Sequence, residues 1–201
     1  MKKNFFLLFL LNSITLMLFT NNFNFFGGGV GSKDSPFLIE NIYHLNNIRY
    51  FPDKHFKQVS DIDFSDKEKW IPIGIFNYLG CSENYFFSGS YDGNGYEILN
   101  LKIIEPDKSF IGLFSVITSE ALIKNITLKN ILVEGREVIG GLVGINYGRI
   151  ENCYVSGKIK GFFEVGGLVG WNSNIVIDSF SEAHVEGIEN FDCLIGLNDC
   201  F

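Results

Sequence analysis

Apolar and small residues in the second half of the chain recur on one beat. GGLVGINYGRIENCYVSGKIKG runs from Gly140 to Gly161, and GGLVGWNSNIVIDSFSEAHVEG follows from Gly166 to Gly187, an offset of 26 residues. That offset puts Leu142, Leu168 and Leu194 in one column, Val143, Val169 and Ile195 in a second, and Asn146, Asn172 and Asn198 in a third. Tyr154 aligns with Phe180, Ile159 with Val185 and Gly161 with Gly187. A triplet of the form Ile/Val-x-Asn/Asp extends the pattern upstream. It occurs at Ile98-Leu99-Asn100, Ile123-Lys124-Asn125, Ile150-Glu151-Asn152 and Val176-Ile177-Asp178, in steps of 25, 27 and 26 residues. Each period holds short β-branched or aromatic runs broken by Gly, Asn or Asp, which reads as strand and turn and not as a helical repeat. A propeller blade needs about 40 residues. At about 3.3 Å per residue, one period predicts three short strands and three turns, a single coil of a parallel β-helix. Coils stacked at the strand spacing set like over like, so an apolar column is buried only where the next coil repeats it. Leu168 is therefore expected in the core between Leu142 and Leu194. Glycines are expected to supply left-handed corners and close backbone approach, and the asparagine columns to form amide ladders.

The front of the chain follows another pattern. Ile42, Leu45 and Ile48 recur at helical spacing, Asn41 stands at the N-cap and Pro52 closes the segment, so a short amphipathic helix is predicted over residues 42–49. It is placed to cover the first coil. The strand-like KQVSDIDF comes next. The expected fold is all-β, a parallel β-helix with a short N-terminal capping helix. Its expected parts are a secretory segment and flexible lead at 1–29, the cap and first strands at 30–66, and coils at 67–201 with repeats at 138–163, 164–189 and a partial 190–201.

MKKN and the apolar run Phe5–Phe19, interrupted by Asn12, Ser13 and Thr15, form a basic start and a core too short for a spanning helix. They read as a secretory signal, with Gly27 to Gly29 as the small residues near a cut. A secreted or cell-surface location follows. The net charge is −7, and without Lys2 and Lys3 it is 14 − 23 = −9, which argues against a nucleic-acid partner. Export permits disulfides among Cys81, Cys153, Cys193 and Cys200, with three connectivities open. Cys153 aligns with Ser179 and reads as a buried free thiol. Cys193 and Cys200 are the local candidates for a pair.

The repeats VIGGLVGINYGRIENCYVSGKIKG and EVGGLVGWNSNIVIDSFSEAHVEG resemble the GLUG-motif repeat family. Upstream, GGGVGSKDSPFLIENIYHLNNI, HFKQVSDIDFSDKEKWIPIG, FSGSYDGNGYEILNLKI and IGLFSVI look like that family's leader and first coils, so the resemblance runs from about Gly27 to Phe201. It implies a right-handed parallel β-helix of the kind found in secreted or surface proteins of bacteria. Adhesin-like proteins carry such repeats, as do regions beside the catalytic domain of immunoglobulin A1-cleaving metallopeptidases. The repeat brings no catalytic residues with it. The third copy, DCLIGLNDCF, departs from the motif by placing Asp192 and Cys193 where the two glycines stand.

Candidate chemistry is sparse. His44, His55 and His184 are isolated and none is followed by Glu, so no H-E-x-x-H zinc site is written. GGGVGSK lacks the glycine that a phosphate loop needs before Lys33, and reads as a flexible lead. Asp61 and Asp63 have the opening spacing of a calcium loop. Asp66 and Pro72 stand where that loop needs Gly and Glu, so a strand and turn with exposed carboxylates is expected. YDGNGYE reads as a tight turn in which Asp92 and Asn94 bond their own backbone. Stacking gives no acid column, since Glu151 sits below Ile177, Glu164 below Asn190 and Lys158 below His184. The reading is therefore not an enzyme, with no catalytic, metal or cofactor residue assigned and no cofactor. It is a secreted or surface β-helix with an adhesive or structural role. Alternatives are a carbohydrate-processing β-helix enzyme and a non-catalytic accessory region of a surface protease. The expected partner is a host or surface ligand, protein or glycan. At the C-terminal end Leu194 and Ile195 pack down with no cap above, so either the chain self-associates there or it is a fragment of a longer protein, and a Cys193–Cys200 disulfide that folds the tail into a cap is the competing expectation.

Overall fold

The computed structural model describes residues 25–66, 69–74 and 86–199. The apolar run Phe5–Phe19 that reads as a secretory signal, Cys81 and Cys200, and with it the Cys193–Cys200 pairing, lie outside the described residues. The chain enters through a glycine-rich segment tied to the first strand β1 (Phe37–Ile39). Gly27 N donates to Leu38 O at 2.9 Å, and Leu38 N donates to Gly28 O at 3.0 Å. Phe26 stacks on Phe37 with ring centroids 4.3 Å apart and is buried. The described part of the lead is thus packed structure and not flexible chain. A cut at Gly27–Gly29 would remove a core side chain.

Helix α1 (Ile42–Asn47) is capped as its sequence predicts, with Asn41 Oδ1 accepting from His44 N at 2.9 Å. A 3₁₀ turn at Ile48–Tyr50 ends it ahead of Pro52. Leu45 and Ile48 are fully buried in the core that the first coils share.

The coils then follow in order. The first carries β2 (His55–Gln58) and β3 (Ile62–Asp63). The next carries β4 (Ser90–Asp92), β5 (Glu97–Leu99), β6 (Lys102–Ile104) and β7 (Phe114–Ile117). A regular coil is built from β8 (Leu122–Lys124), β9 (Thr127–Glu134), β10 (Glu137–Gly140) and β11 (Val143–Asn146). The inner repeat coil has β12 (Arg149–Glu151), β13 (Tyr154–Lys160), β14 (Phe163–Gly166) and β15 (Val169–Asn172). The outer coil has β16 (Ile175–Ile177), β17 (Phe180–Ser181), β18 (His184–Glu186), β19 (Glu189–Asp192) and β20 (Ile195–Asn198). Every pairing is parallel, and the strands form four sheets along the stack. The first face runs β1-β2-β4-β8-β12-β16 and the second runs β17-β13-β9-β5-β3, with β18 and β6 beside it. The third runs β10-β14-β19 and the fourth β20-β15-β11-β7.

A regular coil therefore holds four strands where the length estimate predicts three. The corners are cheaper in residues than ordinary turns. Asn125, Asn152 and Asp178, with φ of 54°, 49° and 49°, each turn the chain from the first face to the second as a single left-handed residue. The same economy explains a register error in the sequence pattern. Ile98 does not stack under Ile123: it pairs with Ile62 and Leu128 on the second face, and Tyr91 occupies the place below Ile123. Asn100, with φ 59°, turns a different corner beside Asn130, whose Nδ2 donates to it. The triplet marks a kind of corner and not one particular corner.

The repeat glycines act otherwise than expected at their corner. Gly140, Gly141, Gly166 and Gly167 are absent from the positive-φ residues. Their role is close approach: a Cβ on Gly167 would lie 1.9 Å from Cys193 O of the outer coil. Leu168 is fully buried, its N–H donating to Leu194 O at 2.9 Å, and Leu142 N donates to Leu168 O at 3.0 Å. The register inferred for the two repeats is the register observed, with Val143, Val169 and Ile195 paired in turn.

Candidate binding groove

Each corner between the first and second faces is followed, two residues on, by an outward side chain of the second face. Asn125 is followed by Thr127, Asn152 by Tyr154 and Asp178 by Phe180. Alternation along a strand requires this, because the residue between points inward: Ile126 and Cys153 are buried. Stacking then brings Thr127, Tyr154 and Phe180 into one row, paired coil to coil. Tyr154 and Phe180 meet edge to face at 4.9 Å, and Tyr154 Oη donates to Glu182 at 2.8 Å. Phe180 is 57% exposed.

The corner residues form an exposed amide ladder beside that row. Asn152 Nδ2 donates to Asn125 Oδ1 and Asn125 Nδ2 donates to Asp92 Oδ1, both at 2.8 Å. Partial burial works against ionisation of Asp92, but hydrogen bonds from Asn125 and Asn94 N and the Lys124 ammonium, 3.3 Å away, hold its carboxyl below its ordinary value. The turn Asp92–Tyr96 closes the lower end of the ladder. Asp92 accepts from Asn94 N as expected, whereas Asn94 Nδ2 reaches Gln58 O instead of its own backbone. The result is an open groove of about 520 Å³ lined by Asn94, Gly95, Asn125, Thr127, Asn152, Cys153, Tyr154 and Phe180.

Cys153 lies on the floor, and its Sγ donates to Glu151 O at 3.2 Å. Burial pushes its thiol up to about 12, so it stays protonated at neutral pH, the free buried thiol that the alignment with Ser179 predicts. Cys193 is exposed.

A second ladder runs through the interior. Asn146 Nδ2 donates to Asn172 Oδ1 at 2.6 Å, and Asn172 Nδ2 to Asn198 Oδ1 at 2.8 Å. Asn146 and Asn172 are buried, and Asn146 Oδ1 also receives Gly148 N. This ladder is structural, as the repeated Asn columns predict.

The other candidate residues stay apart. His44 sits beside Glu40, His55 bonds Ser90 and His184 bonds Glu186, at three separate places. Asp63 Oδ1 accepts from Ser65 and from Asn100 Nδ2, and Asp61 accepts from Glu97 N, so the carboxylates of the DIDFSD segment, strand β3 and its turn, are spent within the turn and on the next coil. Among the described residues no group of three acids, histidines or cysteines has a metal-holding arrangement. The third face holds a feature the sequence reading missed. Glu164 is left-handed, in a column with Phe110, Val138 and Asn190. Burial, then the charges of Glu137 and Glu189, hold its carboxyl above its ordinary value. Pairing like with like hides such a gathering, because it brings together acids from different columns.

The comparisons with known proteins follow the same geometry. Residues 135–160 are a GLUG motif. They cover β10 to β13, the last two strands of the regular coil and the first two of the inner repeat coil. The chain is similar, 38% identical over 141 residues, to a protein of Evansella cellulosilytica provisionally named a Gly-rich membrane protein. It is 33% identical over 144 residues to the halomucin of Haloquadratum walsbyi. The two alignments cover 65% and 66% of this chain but only 16% and 2% of those relatives, so the chain spans a small part of each. A solved structure described as an immunoglobulin A1 protease from Bacteroides ovatus superposes with a TM-score of 0.69 at 22% identity, covering 87% of this chain and 65% of that one. At that identity the likeness shows the solenoid fold around the GLUG motif and nothing of its chemistry.

Proposed function

We propose that this chain belongs to a secreted or cell-surface protein and has an adhesive or structural role without catalysis. The observation that carries the reading is the in-register row of Thr127, Tyr154 and Phe180 beside the exposed amide ladder. Repetition of coils builds an extended contact surface of this kind, whereas a catalytic constellation is a single arrangement. A halomucin and a protein named for a membrane as relatives agree with a surface location. No helix among the described residues is long and apolar enough to cross a membrane. The test couples the purified chain to beads and measures retention on cells and on extracellular polymers, with chromatography of the polymers afterwards. Retention with unchanged polymers is expected. Polymer cleavage overturns the non-catalytic part, and absence of retention overturns the adhesive part.

We propose also that a second copy of this chain is the partner of the outer coil, tail to tail, under screened charge. Its strands form the outer edge of every sheet, and Ile188 and Phe191 are exposed at 68% and 51%. Residues 175–199 carry six acids (Asp178, Glu182, Glu186, Glu189, Asp192, Asp199) and no Lys or Arg. Charge of one sign protects an edge strand, and salt weakens that protection. Light scattering should show monomers at low salt and dimers at high salt, lost in Phe191→Asp, which removes the apolar contact and adds a further like charge. Dimers at low salt, or monomers throughout, overturn the proposal.

A further inference from the structure

We propose that the groove across the second face binds a short neutral glycan, a ligand class that deepens the adhesive reading and rests on it. The groove crosses β5-side residues Asn94 and Gly95 and then three further coils to Phe180, a length of about 14 Å at the ordinary strand spacing. An oligosaccharide offers what this surface can take: hydroxyls along its rim and apolar C–H faces on its rings. The hydroxyl partners are present on the floor. Asn152 Nδ2 is used by Asn125, while its Oδ1 receives no hydrogen bond among the described residues, and Thr127 Oγ likewise makes none there. Amides and hydroxyls both donate and accept, as a sugar hydroxyl does. The ring partner is Phe180, exposed and held edge-on by Tyr154, which Glu182 anchors in turn. A flat aromatic face fixed by its neighbours is a low-entropy platform for stacking.

Two other occupants fit less well. A peptide adding to the sheet needs a free strand edge, and β9 and β13, which carry Thr127 and Tyr154, are paired on both sides, leaving only the two-residue edge strand β17 at the Phe180 end. A polyanion would meet Asp92, Asp178 and Glu182 around the groove. Gly95 stands at the lower mouth with open space around it, so nothing blocks an extended ligand there.

The test is calorimetric titration of the full chain with cellohexaose, with chitohexaose and, as the anionic probe, with a hyaluronan hexasaccharide. Binding of a neutral probe and none of hyaluronan is expected. Phe180→Ala and Tyr154→Ala should each weaken it about tenfold. Phe163→Ala removes an exposed ring from the third face and should leave it unchanged. Failure of both neutral probes, equal binding of hyaluronan, or equal weakening by Phe163→Ala overturns the proposal. The bead assay separates this from the broader reading. Retention that persists in Phe180→Ala sinks the groove alone, and retention absent from the unaltered chain sinks the adhesive reading too.

Discussion

The inner coil of β12–β15 and the outer coil of β16–β20 share a pattern 26 residues apart and differ in almost everything that pattern produces. Leu168 is fully buried, while Leu194 in the same column is half-buried. Asn172 is closed in and Asn198 is exposed. Gly167 faces the backbone of the next coil, whereas Cys193 in its place carries a side chain into solvent. Residues 149–174 hold three Lys and Arg against two Glu, and residues 175–199 hold six acids with no Lys or Arg. A solenoid coil draws its stability from the coil on each side. Identical letters therefore have unequal energies, and paired substitutions at equivalent positions measure the inequality.

The largest difference is expected in the leucine column. Leu168→Ala should cost about 2–5 kcal/mol in urea unfolding followed by circular dichroism. Leu194→Ala, less enclosed, should cost about 1–2 kcal/mol. Equal costs would mean that the outer coil is covered in solution. Glycine comes next. Gly167→Ala pushes a Cβ against Cys193 O and should cost about 1–3 kcal/mol. Cys193→Ala should stay within about 0.5 kcal/mol. A mild Gly167→Ala would show that the two coils separate more freely than their hydrogen bonds indicate.

The ladders give the third step. Asn172→Ala removes the acceptor of Asn146 Nδ2 inside the core, and a buried donor left short of its partner costs about 1–3 kcal/mol. Asn198→Ala removes an exposed acceptor and should cost about 0.5 kcal/mol or less. Hydrogen exchange of the Gly148 amide, which donates to Asn146 Oδ1, should quicken in Asn172→Ala and stay unchanged in Asn198→Ala. Equal exchange in the two variants would make the interior ladder no more important than its exposed end.

These pairs also show why the sequence revealed the fold better than the groove. The columns at Leu142, Val143 and Asn146 were legible because inward side chains must repeat to be buried. The corner at Asn125 and Asn152 was legible because a left-handed residue favours Asn. The corner at Phe110, Val138, Glu164 and Asn190 was not, since only Asn190 is of a type that marks it. Val138 stays there with its side chain packed against Val116 and Ile145. Four strands per coil stayed hidden because single-residue corners leave no run of turn residues to count. The groove was half-visible: both of its columns appeared in the alignment, and the two-residue step from corner to outward side chain joins them. Nothing in that step says which outward row the ladder would flank on its far side. The register slip at Ile98 came from the same source, a corner signal shared by two corners.

The smallest expected effect belongs to Glu164, pressed between Glu137 of the coil below and Glu189 of the outer coil. Burial first, and then those two charges, raise its carboxyl above the ordinary value. The fold thus favours the protonated form. Its contribution is fully present below the unfolded glutamate pKa of about 4.3 and is lost as pH rises through the folded value. At neutral pH the ionised group therefore opposes folding slightly. Glu164→Gln should stabilise the chain there by up to about 0.5 kcal/mol, the scale of partly exposed charges. The gain should vanish as pH falls to about 4. Glu164→Asn should add to it, because Asn suits the left-handed φ of 50° that Glu164 holds. In Glu189→Gln one of the two opposing charges is gone, so the benefit of Glu164→Gln should shrink. If it does not, the outer coil contributes nothing to the repulsion, and the inner coil's acids must be held apart from it.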